Sequence, residues 1–205
     1  MRKPSLLLIG AGGHAHSCID VIEQHGVYQI AGLVGMAEEM NIRHFGYAVI
    51  ATDDELPELA KNYQYAFISL GQIKTPDHRI RLHQQAISLG FKLPSIIAPN
   101  AHVSPHASIG AGTIVMHGAI VNAGARVGDN CIINTHALLE HDVTVEDHCH
   151  ISTGTILNGN ANIGTGSFVG SGCVVKEGVA IGNRCIVGMS LAVRRNQPDY
   201  TRFLG

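Results

Sequence analysis

The chain has 205 residues, a formal net charge of −2, five cysteines, no tryptophan and 24 glycines. That length holds one large domain or two small ones with a real core, and the charge balance offers no basic stripe for nucleic acid. The odd, scattered cysteines suit a reducing cytoplasm better than a disulfide framework, and the glycine content points to repetitive β structure with tight turns.

The opening MRKPSLLLI has an apolar run of only four residues, Leu6 to Ile9, ending in a glycine turn. It is neither a signal peptide nor a membrane span, and no other run approaches spanning length. SLLLIG (Ser5 to Gly10) predicts a strand, and GAGGHAHSCIDVIEQHG turns from it into a helix. Ala15, Cys18, Ile19 and Ile22 fall at i, i+3, i+4 and i+7, one buried stripe, and Gly26 is a natural stop. YQIAGLV predicts a second strand, DDELPELAKN a short capped helix and YAFISLG a third strand. DHRIRLHQQAISLG reads as another amphipathic helix closed by glycine. Strands alternating with helices imply a small parallel sheet whose ligand edge lies at the strand C-termini.

From about residue 101 the pattern changes. Read in sixes from His102, the chain runs HVSPHA SIGAGT IVMHGA IVNAGA RVGDNC IINTHA LLEHDV TVEDHC HISTGT ILNGNA NIGTGS FVGSGC VVKEGV AIGNRC IVGMSL AVRRNQ. All sixteen second positions, from Val103 to Val193, are aliphatic, and the sixth is nearly always small. A period kept over that length predicts a β-solenoid in which three hexads make one triangular coil. Residues eighteen apart then stack directly, at a strand spacing of roughly 4.8 Å.

That stacking rule sorts the cysteines and histidines. Cys131, Cys149, Ser167 and Cys185 share the sixth position at eighteen-residue intervals, and Cys173 takes it on another face. They are expected to line the interior rather than surround a metal. His136, His141, His148 and His150 fall at the fifth, fourth, fifth and first positions. They are dispersed around the coil and do not converge on one ion within a subunit, which leaves open a zinc site shared between subunits. His136 and His148 read as polar turn residues. His141, between Glu140 and Asp142, reads either as a solvated turn residue or as a base. Gly159 stacks on it one coil later and brings a backbone amide suited to an oxyanion. Residues 176–205 hold Lys176, Arg184, Arg194, Arg195 and Arg202 against Glu177 and Asp199, a basic end suited to the phosphates of a coenzyme.

An α/β unit followed by an unbroken hexapeptide solenoid resembles the bacterial acetyltransferases that act on sialic acids and on nucleotide-linked 4-amino sugars. The likeness covers nearly the whole chain. It rests on IGAGGHA, the GYAVIATDDEL stretch, ISLG, INTHALLEHD, CHIST and ILNGNANIGTGSFVGSGCVV. The resemblance implies a Rossmann-like sugar-nucleotide domain at 1–98, a left-handed parallel β-helix at 99–193 and a tail at 194–205. It implies acetyl-CoA-dependent N-acetylation of a 4-amino-4,6-dideoxy type sugar for surface glycans, in a cytoplasmic homotrimer without metal. O-acetylation of a sialic-acid-like sugar is the alternative within the class. By the same resemblance His141 is the general base and Asp142 raises its basicity. His150, Gly159, Ser171, Met189 and Arg194 contact acetyl-CoA, while Gly12, Gly13, His14 and Gly71 hold the sugar nucleotide.

Three departures stand out. Gly10, Gly12 and Ala15 fit a dinucleotide fingerprint, but Val34 and Gly35 occupy the place of its strand-end acid, which argues against a nicotinamide enzyme. GQIKTPDHR is longer than the matching loop of many relatives, and the sequence ends at Gly205 without their Gly-x-Pro-Ala.

Overall fold

The computed structural model describes residues 3–205; Met1 and Arg2, which open the MRKPSLLLI stretch, lie outside the described residues. The chain forms two units, Met1–Gly71 with Asp77–Ile96, and Gln72–Pro76 with Ile97–Gly205.

In the first unit a sheet runs in the order β3-β4-β2-β1-β5. Its strands are β1 (Ser5–Ile9), β2 (Gln29–Gly35), β3 (Arg43–His44), β4 (Tyr47–Thr52) and β5 (Tyr65–Ile68). Leu6 to Ile9 are fully buried because β1 lies between two parallel partners and is covered on its faces. Helix α1 (Gly13–His25) buries Ala15, Cys18, Ile19 and Ile22 as the spacing requires. It stops where Gly26 enters the left-handed region, at φ 73°, and returns its N–H to Ile22 O. DDELPELAKN folds as a short 3-10 turn followed by α2 (Leu56–Leu59), and α3 covers Asp77–Ser88.

Strand β4 has no counterpart among the expected elements. Only its Val49 and Ala51 are buried while Ile50 between them is exposed, a half-buried alternation that becomes a strand by pairing on both sides. Its antiparallel hairpin with β3 makes an otherwise parallel sheet mixed at one edge. At the other edge the buried Arg79 donates from Nη1 to the carbonyls of Ile68 at 2.7 Å and Leu70 at 2.6 Å. Those charge-assisted bonds fix the chain as it leaves β5.

The second unit is a left-handed parallel β-helix. Positions one and two of each hexad form a two-residue strand, and strands eighteen residues apart pair in parallel, as Ile120 with Leu138 and Ile132 with His150. Face I carries the strands at Ser108, Arg126, Thr144, Asn162 and Ala180; face II those at Ile114, Ile132, His150, Phe168 and Ile186; face III those at His102, Ile120, Leu138, Ile156, Val174 and Ala192. The second positions point inward and form one continuous apolar core with the sixth. The fifth position is left-handed in coil after coil, with glycine at 118, 124, 166 and 172 and Asn130, His136, Asp142, His148 and Arg184 at φ 53–61°. His136 and His148 are therefore turn residues. After the hexads, Arg202–Phe203 still pairs with Ile186–Val187, so the end of the chain closes face II.

The corners are not alike. At corner I/II, Gly128, Gly164 and Gly182 hold the third position, where a Cβ would run into the next coil. Their inward carbonyls accept from sixth-position side chains: Thr113 to Gly128 at 2.7 Å, Cys149 to Gly164 at 3.1 Å and Ser167 to Gly182 at 2.7 Å. Thr113 and Ser167 also accept from the amides of Cys131 and Cys185, both at 2.9 Å. The buried thiols and hydroxyls are thus donors that satisfy an otherwise unpaired interior backbone. At corner III/I the third positions are Asn122, Glu140 and Asn158, and the sixth are Ala125, Val143 and Ala161.

Candidate active site

Corner III/I brings His141 and Gly159 into register at the fourth position, with the Asn160 amide donating to His141 O at 3.0 Å. Asp142, left-handed at φ 59°, turns back so that its Oδ2 lies 2.9 Å from His141 Nδ1. With Nδ1–H donated to a carboxylate, the other ring nitrogen is the acceptor. A Cβ on Gly159 would fall 2.6 Å from that Nε2, so glycine is what leaves space for the imidazole. A cavity of about 550 Å³ opens there, walled by Glu140, Asn158 and Glu177 together with His141 and Gly159. Glu140 is oriented by Asn122, whose Nδ2 donates to Oε2 at 3.1 Å, and the Asn158 amide is held by Val175 O at 2.8 Å. Two carboxylates and no cation line this space, so it favours a positively charged acceptor.

The other expected residues are distributed around the unit. Arg194 lines a second cavity, of about 430 Å³, that shares Asn158 and Glu177 with the first. Ser171 and Met189 stack on corner II/III. Ser171 Oγ lies 2.8 Å from Ser152 Oγ, and Met189 is 76% exposed, unusual for an apolar side chain. His150 is on face II and buried. Its Nδ1–H donates to Gln72 O at 2.6 Å and its Nε2 accepts from Asn134 Nδ2 at 3.1 Å, with the ring edge-on to Phe168. Within one chain these residues do not share a cavity with His141.

In the first unit, Gly12, Gly13, His14 and Gly71 do come together. Gly12 caps α1 without a side-chain bond or a first-turn acid, which leaves helix amides for an anion. A Cβ on Gly71 would sit 3.3 Å from that of His14. Ser69 Oγ donates to Gly10 O at 2.6 Å and joins the ends of β1 and β5. Beside Gly35, where the strand-end acid is missing, the next turn places a carboxylate. Glu39 Oε2 accepts from the Met36 amide at 2.8 Å and lies 2.7 Å from where a Gly35 side chain would begin. Sequence reasoning looked for the acid on the strand and missed one delivered by the next turn. Among the described residues, no three His, Cys, Asp or Glu side chains group to hold a metal ion, and no helix is long and apolar enough to cross a membrane.

Residues 5–84 match the PglD N-terminal domain. The whole chain is similar to a mutant perosamine N-acetyltransferase from Caulobacter crescentus in complex with CoA and GDP-perosamine. The identity is 34% over 96% of this chain and 91% of that one, with a TM-score of 0.90. The acetyltransferase domain of PglB from Neisseria gonorrhoeae, in complex with acetyl coenzyme A, is 32% identical over 97% of this chain and 94% of that one, at a TM-score of 0.88. The chain belongs to the hexapeptide-repeat sugar acetyltransferases. WeeI from Acinetobacter baumannii, at 15% identity and a TM-score of 0.73, shares the fold. No match was found among curated protein sequences.

For an acyltransferase the thiols matter by their inertness. Burial pushes the Cys18 thiol up to about 12 and raises Cys149, Cys173 and Cys185 as well. None is a poised nucleophile, because the thiolate is the reactive form.

Proposed function

We propose that the chain transfers the acetyl group of acetyl-CoA to the amino group of a nucleotide-linked sugar, with His141 as general base. The observation that carries the mechanism is the 2.9 Å pair of His141 Nδ1 and Asp142 Oδ2, with Nε2 beside Gly159 at the cavity. The bound ammonium sheds one proton to solvent, and Nε2 removes a second as the neutral amine nitrogen attacks the thioester carbonyl. A backbone amide near Gly159 stabilises the oxyanion, the C–S bond breaks, and the proton passes from His141 to the departing coenzyme thiolate. Gly159, Ser171, Met189, Arg194 and His150 are assigned to the coenzyme. Gly12, Gly13, His14 and Gly71 are assigned to the sugar nucleotide, with Glu39 facing its nucleoside. Domain roles follow: the first unit binds the nucleotide and the β-helix performs transfer.

Nitrogen rather than oxygen acetylation is supported by Glu140 and Glu177 in a cavity lined by no cation, a setting that attracts an ammonium. Self-association, as a trimer with neighbouring chains completing each site, is supported by face III. There Ile120, Leu138, Ile156 and Val174 point outward in one column, Ile120 38% and Val174 39% exposed, where face I presents Ser108, Arg126, Thr144 and Asn162. A cytoplasmic location fits five free thiols and a coenzyme A substrate.

The deciding assay offers the purified chain acetyl-CoA with a panel of amino-sugar nucleotides, GDP-perosamine first, and their hydroxyl analogues. Acetylation of an amine that is lost in His141→Ala is expected. Activity in that variant comparable to wild type would overturn the mechanism, and turnover of hydroxyl acceptors alone would overturn the acceptor class.

A further inference from the structure

A cavity of about 200 Å³ lies on corner I/II and face II of the second unit, away from the corner that carries His141. Its floor is the Gln72–Pro76 segment, and the β-helix supplies Phe168, Arg184, Tyr200 and Arg202. Three of its lining residues are cationic, Lys74, Arg184 and Arg202, and none is acidic. Arg184 occupies a left-handed position at φ 53°, where preceding coils place glycine, histidine or asparagine and where a long side chain carries strain.

Gln72 supplies an independent sign of a missing ligand. It is 3% exposed, and its Nε2 donates to His148 O at 2.9 Å and Gly166 O at 3.3 Å. The Oε1 of the same amide is buried with no donor. A buried acceptor left without a donor is uncommon and asks for an explanation. The segment is also held rigidly, since Gln72 O accepts from the ring of His150 at 2.6 Å. The wall is therefore built in advance, with three cations around a space that no acidic side chain lines and with Gln72, whose buried Oε1 lacks a donor, among its residues.

We propose that this cavity binds the phosphate ester group of a small hydroxyl-bearing ligand. Lys74, Arg184 and Arg202 take the phosphate oxygens in charge-assisted bonds, and Gln72 Oε1 accepts from a neighbouring hydroxyl. The volume sets the size, because pockets that enclose a whole drug-sized ligand run to about 300–1,000 Å³. One phosphate and part of a sugar fit, whether as a free sugar phosphate or as the phosphorylated ribose end of a larger coenzyme. The site stands independently of the acetyl-transfer reading.

Titration calorimetry on the full chain decides it, with ribose 5-phosphate, adenosine 3′,5′-bisphosphate and unphosphorylated ribose as probes. Ribose 5-phosphate is expected to bind saturably and ribose not at all. The exposed double variant Lys74→Ala/Arg202→Ala should weaken binding of the phosphate at least tenfold. Gln72→Glu, which keeps the acceptor and adds a like charge, should weaken it by a similar factor. A parallel loss for adenosine 3′,5′-bisphosphate makes the coenzyme the source, and loss of ribose 5-phosphate alone makes it a separate ligand. No saturable binding of either phosphate to the wild-type chain, or equal affinity in the double variant, overturns the site. Neither reading needs a measurable acetylation rate, so failure here is separable from failure of the proposed reaction.

Discussion

Corners I/II and III/I of the same β-helix use the same six-residue frame for opposite purposes. Inside the coil the first is sealed: glycines bring successive coils close together, and buried hydroxyls and thiols satisfy the carbonyls that turn inward. The second is open. Alanine and valine fill its interior, while Asn122, Glu140, His141 and Asn158 line its open edge. Rigidity at one corner and chemistry at another are compatible because each coil contacts only its neighbours. A substitution is therefore felt locally and for different reasons on the two sides.

The largest separation between the corners should come from His141→Ala. Loss of a positioned base lowers kcat by about 10² to 10⁴-fold, and the exposed side chain leaves thermal unfolding almost unmoved. Asp142→Ala should fall between that variant and wild type, since it removes the partner and not the base. A pair of glycine substitutions sharpens the contrast. In Gly164→Ala the new Cβ meets the Gly182 backbone at 2.6 Å and the Asn183 amide at 2.7 Å, atoms that cannot swing away. Overpacking of that kind costs about 1–3 kcal/mol, or roughly 2–4 °C of Tm per kcal/mol in a chain of this size. In Gly159→Ala the Cβ meets only the end of the His141 ring, so activity should collapse while Tm holds. Equal losses of stability in both would erase the distinction between a sealed and an open corner.

A smaller effect tests the donor ladder. Ser167→Ala strands Gly182 O and the Cys185 amide, at about 1–3 kcal/mol for a buried group left unpaired. Ser167→Cys should recover most of it, since Cys149 serves as the donor in the preceding coil. If alanine and cysteine behave alike in chemical denaturation, the sixth position is selected for size and not for hydrogen bonding. The smallest effect concerns pH. The Cys18 thiol is pushed up to about 12, chiefly by burial and against the opposing pull of Arg79. A thiol that ionises less readily folded than unfolded stabilises the fold fully below its ordinary value of 9.0, and that contribution is lost as pH rises through the folded value. Unfolding free energy should therefore decline between those two values, less steeply in Cys18→Ala, and the thiol should resist Ellman's reagent until the chain unfolds.

Much of this molecule was readable from its letters because a repeat converts sequence position into direction. Sixteen aliphatic second positions specify the interior, and the eighteen-residue rule places Gly159 on His141 without coordinates. Glycine, asparagine and histidine at the fifth position mark the left-handed turns. Other features depended on segments remote in sequence. The phase cannot say that Gln72, 78 residues before His150, will take up the imidazole N–H, or that Glu39 will fold back over Gly35. It assigns Cys131 and Cys149 to the interior for their size, and only the stacked backbone exposes the carbonyls that require their S–H groups. Periodicity determines which way a side chain points from its own coil. What comes to meet it is settled by burial and hydrogen-bond satisfaction across the folded chain, and those conditions exist only once distant segments have packed.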